Sequence, residues 1–221
     1  MLYAAGAADG DGAAPGAANA AGSAASKVYP IYTSVHVSLG VGADLSRRPH
    51  VLHVPCRIDS GGGRGATEVG LKHYCYEPSF APPGKSVVRA MLVADYDWWK
   101  ALRTRADGRA AYDAEKERIG AEVAALVEAH YPEARGKIEV VDVATPTTYE
   151  RYCNAWRGTW MAWANTPGAK IRGVPATLPG LTHFYQAGQW LLLPGGLPVA
   201  VVTGKWAIQH VCRAEKVRFR P

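Results

Sequence analysis

The C-terminal part of the chain reads PGLTHFYQAGQWLLLPGGLPVAVVTGKWAIQHVC from Pro179 to Cys212. A Pro-Gly turn followed by a short aromatic run predicts a strand that ends at Gly188. The Gly-Gly pair after Pro194 then opens a predicted helical run over Val199–Val211. Pro198 falls in the first turn of that helix, where a missing N–H costs nothing. This stretch therefore predicts a strand, a turn and a helix in succession.

The turn and the helix start in this stretch suit an electron-rich ligand. The first N–H groups of a helix are unpaired and carry partial positive charge, which favours an anion or an electron-rich ring edge. Gly188 has no Cβ, so another group can approach its backbone. From the residues alone, an ordinary strand-turn-helix packing corner is the alternative, and it stays open.

Part of this stretch resembles the C-terminal FAD signature of the phytoene desaturase and carotenoid isomerase family. That family belongs to the FAD-dependent, amine-oxidase-like enzymes. Weaker similarity lies upstream, so the resemblance covers about residues 31–213. The most specific segments are Phe184-Tyr185-Gln186-Ala187-Gly188-Gln189-Trp190 and Pro194-Gly195-Gly196-Leu197-Pro198, followed by Thr203-Gly204-Lys205. The supporting segments are 76–86, 145–152 and 154–163.

The resemblance implies that this corner closes over the isoalloxazine ring of FAD. The backbone N–H groups of Gly188 and Gln189 and the Gln189 side chain would meet the ribityl-pyrophosphate part, although family members often carry an acidic residue at the Gln189 position. The helix start would meet the pyrimidine edge, where a reduced flavin gains negative charge. The implied cofactor-binding residues are Gly188, Gln189, Trp190, Pro194, Gly195, Gly196, Leu197 and Pro198.

A tryptophan-rich segment upstream is the implied substrate wall. In the family this segment lies near the flavin and the substrate tunnel, where large flat side chains would line the path of an apolar polyene or acyl chain. For Trp163, packing in an ordinary core stays open as the alternative. The implied substrate-lining residues are Trp156, Arg157, Trp160 and Met161.

The dinucleotide-binding fingerprint of a Rossmann unit is absent from the sequence. Gly40-Val41-Gly42 lacks the third glycine, and the run from Gly61 to Gly65 precedes no predicted helix. Gly84-Lys85-Ser86 has Ser79 where a phosphate loop needs glycine, and it leads into a predicted strand. In the family, an N-terminal Rossmann unit holds most of the FAD. The chain therefore resembles the C-terminal half of such an enzyme, as a split subunit, a truncated product or a relic.

Three functional hypotheses follow. The first is the C-terminal part of an FAD-dependent oxidoreductase that desaturates, saturates or isomerises a carotenoid-like or retinoid-like substrate by hydride transfer. Such a chain is expected to work with a Rossmann-domain partner chain and to bind FAD weakly or not at all alone. The alternative is a non-catalytic module that binds an apolar ligand or a partner, or a fragment without present function. No catalytic residue is assigned, since the flavin carries the chemistry in this family.

The middle of the chain predicts an α+β fold, with helices on one side of a mixed or antiparallel sheet. One helix is predicted over Tyr112–His130, and a shorter one over Tyr96–Arg105 with Asp95 or Asp97 as its N-cap. Alternating apolar residues predict strands at 35–41, 51–56, 69–76, 86–93 and 137–143. The predicted C-terminal strand, turn and helix complete the fold.

Composition divides the chain into four parts. Residues 1–26 are mostly Ala and Gly and predict a disordered tail. A substrate-binding-like domain is predicted over 27–178, a C-terminal FAD-binding segment over 179–215, and a basic tail over 216–221.

Charge and residue usage exclude several classes of protein. The net charge is +6, which is typical of an ordinary solvated surface. The basic C-terminus would alternatively suit phosphate or an anionic membrane face, but no nucleic-acid motif accompanies it. The four cysteines show no CxxC spacing, so neither a zinc site nor a disulfide framework is expected. The N-terminus lacks a secretory signal, and no apolar run reaches bilayer length. The expected location is the cytoplasm, with peripheral membrane contact left open.

Overall fold

The computed structural model describes residues 31–164 and 174–220. These residues belong to two compact units: Thr33–Gly158, and a second unit formed by the two ends of the chain, up to Tyr32 and from Thr159 onward. The tail predicted over 1–26 lies outside the described residues. The first compact unit ends upstream of the boundary that composition suggests at residue 178.

The first unit is built on a five-stranded antiparallel sheet, which confirms the predicted α+β fold. The order across the sheet is β2-β3-β4-β1-β5, so that β1 lies between β4 and β5. Each of the five predicted strands is present, and a tight hairpin loop joins β2 to β3. The strands are β1 (Ser34–Val41), β2 (Val51–Asp59), β3 (Gly65–His73), β4 (Ser86–Val93) and β5 (Ile138–Ala144).

Helices α1 (Tyr96–Thr104), α2 (Gly108–His130) and α3 (Pro146–Cys153) belong to the same unit. The carboxylate of Asp95 accepts a hydrogen bond from the Trp98 N–H at 3.0 Å, so Asp95 is the N-cap of α1. Helix α2 begins at Gly108, earlier than the sequence predicts, and ends as predicted. Helix α3 is an addition to the predicted elements.

The residues at the start of α3 form a helix-capping pattern that is visible in the sequence. Thr145 and Thr148 form a capping box, and Pro146 occupies the first helical turn. Asn154 ends the helix with a left-handed φ of 47°. The helix has only eight residues, and its apolar side chains are too few to show a helical period.

Helices α1 and α2 pack on one face of the sheet, and Tyr149 of α3 packs on His36 at the opposite face. Trp99 of α1 is completely buried, and its Nε1 donates to the Ser60 carbonyl at 2.9 Å. Burying each large apolar side chain contributes roughly 1.5–3 kcal/mol, so this core dominates the stability of the unit. Its main members are Val35, Val37, Leu39, Val41, Val54, Leu71, Val88, Leu92, Ile119, Val123 and Val127.

In the second unit, the predicted C-terminal helix is present as α4 (Gly196–Ala214), with Pro198 in its first turn. The predicted strand before it is wrong, because residues 184–188 have no regular secondary structure. In that run the Gln186 N–H bonds to the Ala176 carbonyl at 2.8 Å, and the Gln186 side-chain amide bonds to the Pro175 carbonyl at 2.6 Å. A strand needs a repeating ladder with a neighbour, which this contact does not supply.

The described residues set two further limits on function. Their helices are all too short or too polar to cross a membrane. Among the same residues, no group of three or more His, Cys, Asp or Glu side chains is placed to hold a metal ion. All four cysteines are free thiols, of which Cys153 is exposed and the others are half-buried.

Candidate functional site

The loop that enters α4 depends on glycine. Gly188, Gly195 and Gly196 have positive φ values of 136°, 85° and 79°. A Cβ on Gly195 would lie 2.0 Å from the Met161 carbonyl oxygen, so two backbones pack directly against each other there. Gly188 requires glycine because of its positive φ, not because of crowding. A Cβ there would meet nothing within 4 Å, so the space beside it is open.

Thr203 fastens this loop to α4. Its buried hydroxyl accepts a hydrogen bond from the Gly188 N–H at 2.9 Å and donates to the Val199 carbonyl at 2.8 Å. The Gly188 N–H is therefore satisfied within the chain. The groups that remain for a pyrophosphate are those of Gln189, a half-buried residue in the turn from Gly188 to Leu191.

The start of α4 is partly exposed, since Gly195 is buried, Gly196 is half-buried and Leu197 and Pro198 are exposed, and it has no side-chain cap among the described residues. Gly195 occupies the N-cap position and Pro198 contributes no N–H. Leu197, in the first turn, is 82% exposed, and Pro194, which follows a cis peptide bond, is exposed as well. Uncapped N–H groups at a helix start are electropositive, so the exposed part of this end of α4 favours an anion or an electron-rich ring edge.

Trp190 stabilises the same loop by packing against Trp163. Its ring meets the ring of Trp163 edge to face at 4.9 Å, and Nε1 of Trp163 donates to the Trp190 carbonyl at 2.8 Å. Trp163 is only 4% exposed, which makes it a core residue of the second unit. All eight residues proposed for the cofactor thus lie within one short segment around the start of α4.

Trp156 and Arg157, two of the four proposed substrate-lining residues, belong to the first unit. Arg157 forms an ion pair with Asp97, and its guanidinium lies over the rings of Tyr96 and Trp156 at 4.8 and 5.7 Å. Burial and a hydrogen bond to Glu150 raise the pKa of Tyr96, so its phenol stays neutral beneath the cation. The Arg157 side chain is thus engaged inside the unit.

Trp160 and Met161, the other two, belong to the second unit. The Trp160 ring lies 6.1 Å from the ring of Tyr32. The backbone of Met161 supports Gly195, so Met161 lies directly at the entrance to α4. The proposed substrate wall is therefore divided between the two units.

An open crevice of about 460 Å³ lies in the segment that precedes this loop. Its size is within the range of small-molecule sites, and Tyr185 on its wall stacks on His210 of α4 at 5.8 Å. The lining is mainly apolar and aromatic: Pro175, Thr177, Leu178, Pro179, Leu181, His183, Phe184 and Tyr185.

One side of α4 presents apolar side chains to solvent. Leu197, Val201, Ile208 and Val211 recur at helical spacing and are 82%, 73%, 54% and 38% exposed. Gly204 lies in the middle of this row, and a Cβ there would meet nothing within 4 Å. We call these five residues the α4 stripe. Val202 and Trp206, which lie off this row, are also 42% and 40% exposed, and Thr203 is the buried residue that contacts the loop.

The Lys and Arg side chains of α4 have no acidic side chain beside them in the helix. Residues 196–214 contain Lys205 and Arg213 and no Asp or Glu. Beyond the helix, Glu215 is the single acid in the described residues that follow. A basic helix end suits an acidic partner or a phosphate-bearing ligand.

Comparison with known proteins adds no relative. Neither a protein-family model nor a curated protein matches this chain. The resemblance to the phytoene desaturase family rests on the quoted segments, so function has to be argued from the site itself.

Proposed function

We propose that this chain is the substrate-facing and flavin-closing part of an FAD-dependent oxidoreductase of the phytoene-desaturase-like class. The start of α4 would close over the isoalloxazine ring, and a Rossmann unit on another polypeptide portion would hold the rest of the cofactor. The substrate class is a hydrophobic, carotenoid-like or retinoid-like molecule whose C–C or C=C bonds react by hydride transfer. The observation that carries the proposal is an uncapped, glycine-formed helix start joined to an uncovered apolar stripe.

The geometry of the α4 start supports contact with a flavin. Gly195 and Gly196 form the turn without side chains, and Leu197 adds no charge that would compete with a ring edge. A bound flavin would supply the hydride chemistry, while these residues would orient it and stabilise its negative charge through the helix N-terminus. The hydrogen bond from the Gly188 N–H to the Thr203 hydroxyl would hold the turn in one conformation before the cofactor binds.

The α4 stripe supports the need for a second polypeptide portion. Proteins that act as monomers rarely expose a contiguous row of large apolar side chains, and such a row usually marks a contact surface. Gly204 in its middle leaves room for a backbone to approach closely. Burying the row would contribute about 25 cal/mol for each Å² of apolar surface removed from water.

Flavin retention tests this proposal. We expect the purified chain, mixed with FAD and desalted, to keep little flavin absorbance, because most cofactor contacts would lie on the other portion. Adding the Rossmann half of a phytoene-desaturase-like enzyme should restore flavin to about one per complex. Stoichiometric flavin on the chain alone would contradict the requirement for a second portion.

Two substitutions at one exposed position test the helix-start contact separately. Leu197→Asp should retain flavin about tenfold less well than Leu197→Asn in the reconstituted complex, because a carboxylate there repels an electron-rich ring edge. The Asp variant should also lower the midpoint potential of the bound flavin. The two variants have nearly the same shape, so equal retention and equal potential would rule out the contact.

The α4 stripe also supports a second function, a non-catalytic module that binds a partner or an apolar ligand. Light scattering and ligand uptake separate the two functions. A monodisperse chain that takes up a polyene without flavin, and gains no flavin from a Rossmann half, would favour the module over the oxidoreductase.

A further inference from the structure

The residues from the start of α4 onward carry an excess of positive charge. Residues 196–220 contain five Lys or Arg residues and one acid, so the net charge of this stretch is +4. All five cations are exposed, and the Oε1 of the acid, Glu215, lies 3.8 Å from the Nδ1 of His183. We call the five cations the C-terminal basic surface: Lys205, Arg213, Lys216, Arg218 and Arg220.

The chain reverses its direction at the end of α4. Lys216 has a left-handed φ of 55°, and the Val217 N–H donates to the Cys212 carbonyl at 2.9 Å, as in a Schellman helix end. The residues after Lys216 therefore return alongside the helix instead of continuing away from it.

Phe219 joins the returning segment to the helix. The Lys205 Nζ lies 5.9 Å from the centre of the Phe219 ring, and Phe219 is half-buried. Arg218 and Arg220 flank Phe219 in the chain, so they follow it back towards Lys205. The reversal thus gathers cations from distant sequence positions beside the C-terminal half of α4.

Exposed apolar side chains lie among these cations. Val202, Trp206 and Arg213 recur at helical spacing and share one side of α4, on which Val202 and Trp206 are 42% and 40% exposed. Val217, in the returning segment, is 57% exposed. None of these residues belongs to the α4 stripe. A partner can therefore meet positive and apolar groups here while the stripe is covered by another polypeptide.

A nucleic acid fits this surface less well than a lipid bilayer does. Proteins that hold single strands stack successive bases on aromatic rings. The Phe219 ring already lies beneath the Lys205 Nζ, and the exposed residues Val202 and Val217 are aliphatic. A run of bases would therefore find few rings on which to stack.

The boundary between the headgroups and the acyl chains of an anionic bilayer suits both kinds of side chain. Lys and Arg are attracted to anionic headgroups while their aliphatic stems lie along apolar surface. Trp is favoured at this depth because its ring is apolar and its N–H is polar. In residues 216–220 a cation alternates with Val217 and Phe219, so a bilayer satisfies charged and apolar groups together.

We propose that the C-terminal basic surface docks the protein on an anionic lipid bilayer. The five cations contact the headgroup phosphates, and the side chains of Trp206 and Val217 enter the acyl boundary. With a rise of about 1.5 Å per residue, Arg213 lies about 24 Å along α4 from Leu197. Docking therefore uses the opposite end of the helix from the proposed flavin contact and does not depend on it.

Flotation of the full chain with lipid vesicles on a density gradient tests the charge contribution, since vesicle-bound protein rises while aggregates sink. We expect partitioning onto vesicles of phosphatidylcholine mixed with phosphatidylglycerol, little onto phosphatidylcholine alone, and weaker binding as salt is raised. The double variant Arg218→Gln, Arg220→Gln should bind the mixed vesicles at least about tenfold more weakly. Its control, Arg57→Gln with Lys72→Gln, removes the same charge from exposed positions on β2 and β3 and should bind like the wild type.

The apolar contribution is tested at constant charge. Val217→Ser should weaken binding to the mixed vesicles about threefold, because a smaller apolar area enters the bilayer. Val93→Ser makes the same change at an exposed position of β4 and should have no effect. Circular dichroism of each variant checks that the fold is kept.

Several results would overturn the proposal. These are equal partitioning onto the two vesicle types, equal losses in a variant and its control, and unchanged binding in Val217→Ser. Release by inorganic phosphate, compared with chloride at the same ionic strength, would indicate a free-anion site instead of a docking surface. Tighter binding to polyglutamate or to a single-stranded oligonucleotide would indicate an acidic protein or a nucleic acid as the partner. Flavin reconstitution without vesicle binding would contradict only the docking, and the converse result only the oxidoreductase function.

Discussion

At the scale of single residues, Gly195 determines the path of the chain into α4. Its φ of 85° lies in the left-handed region, and its α-carbon faces the Met161 carbonyl with no room for a side chain. Any other residue would meet both a backbone penalty and a steric clash. The position of the helix start, and with it the candidate flavin contact, therefore depends on this one glycine.

We predict that Gly195→Ala lowers the free energy of unfolding of the second unit by about 3 kcal/mol, from left-handed strain plus the clash. Gly180→Ala is the matched control: Gly180 has a φ of 80°, and a Cβ there meets nothing within 4 Å. The control should lose only about 1 kcal/mol from strain. Denaturant unfolding followed by circular dichroism gives both values, and equal losses would show that the contact with Met161 does not matter.

Local residue rules could be read from the sequence, and long-range pairs could not. Asp95 before a helix and Gly84 in a turn each follow from their immediate neighbours. The hydrogen bond between the Gly188 N–H and the Thr203 hydroxyl joins a turn to a helix, and no rule of residue spacing predicts it. The contact of His36 with Tyr149 likewise depends on how a strand and a short helix come together.

At the scale of elements, α4 is exposed on most of its surface. Thr203 is its only buried residue and contacts the loop, whereas the α4 stripe, Val202 and Trp206 are exposed. The glycine pair and small residues of the segment predict this helix correctly. The aromatic composition of residues 184–188 predicts a strand. A strand also needs a neighbouring strand to pair with, and that depends on residues far along the chain.

We predict that the α4 stripe drives self-association of the isolated chain. The double variant Val201→Ser, Ile208→Ser should shift the mass measured by light scattering towards that of the monomer, because it removes exposed apolar surface from the middle of the stripe. Its unfolding free energy should change by less than about 0.5 kcal/mol, since both positions are exposed. Val93→Ser, at a 63% exposed position on β4, should leave the association unchanged. A wild-type chain that stays monomeric would contradict the prediction.

At the scale of the whole molecule, the two units have very different cores. The first unit contains the continuous cluster of strand and helix side chains, from Val35 to Val143. Among its described residues, the second unit buries a smaller set around Trp163, Leu191 and Thr203, most of it in loops. Local opening is easiest where few apolar side chains are buried, so stability is expected to be concentrated in the first unit.

We therefore predict that residues Thr33–Gly158, expressed alone, fold cooperatively. The sheet and its three helices lie within this range, so the excised unit keeps the whole apolar cluster that stabilises it. Thermal unfolding followed by circular dichroism measures the cooperativity of the transition. A broad transition would show that the first unit depends on the second and would contradict the prediction.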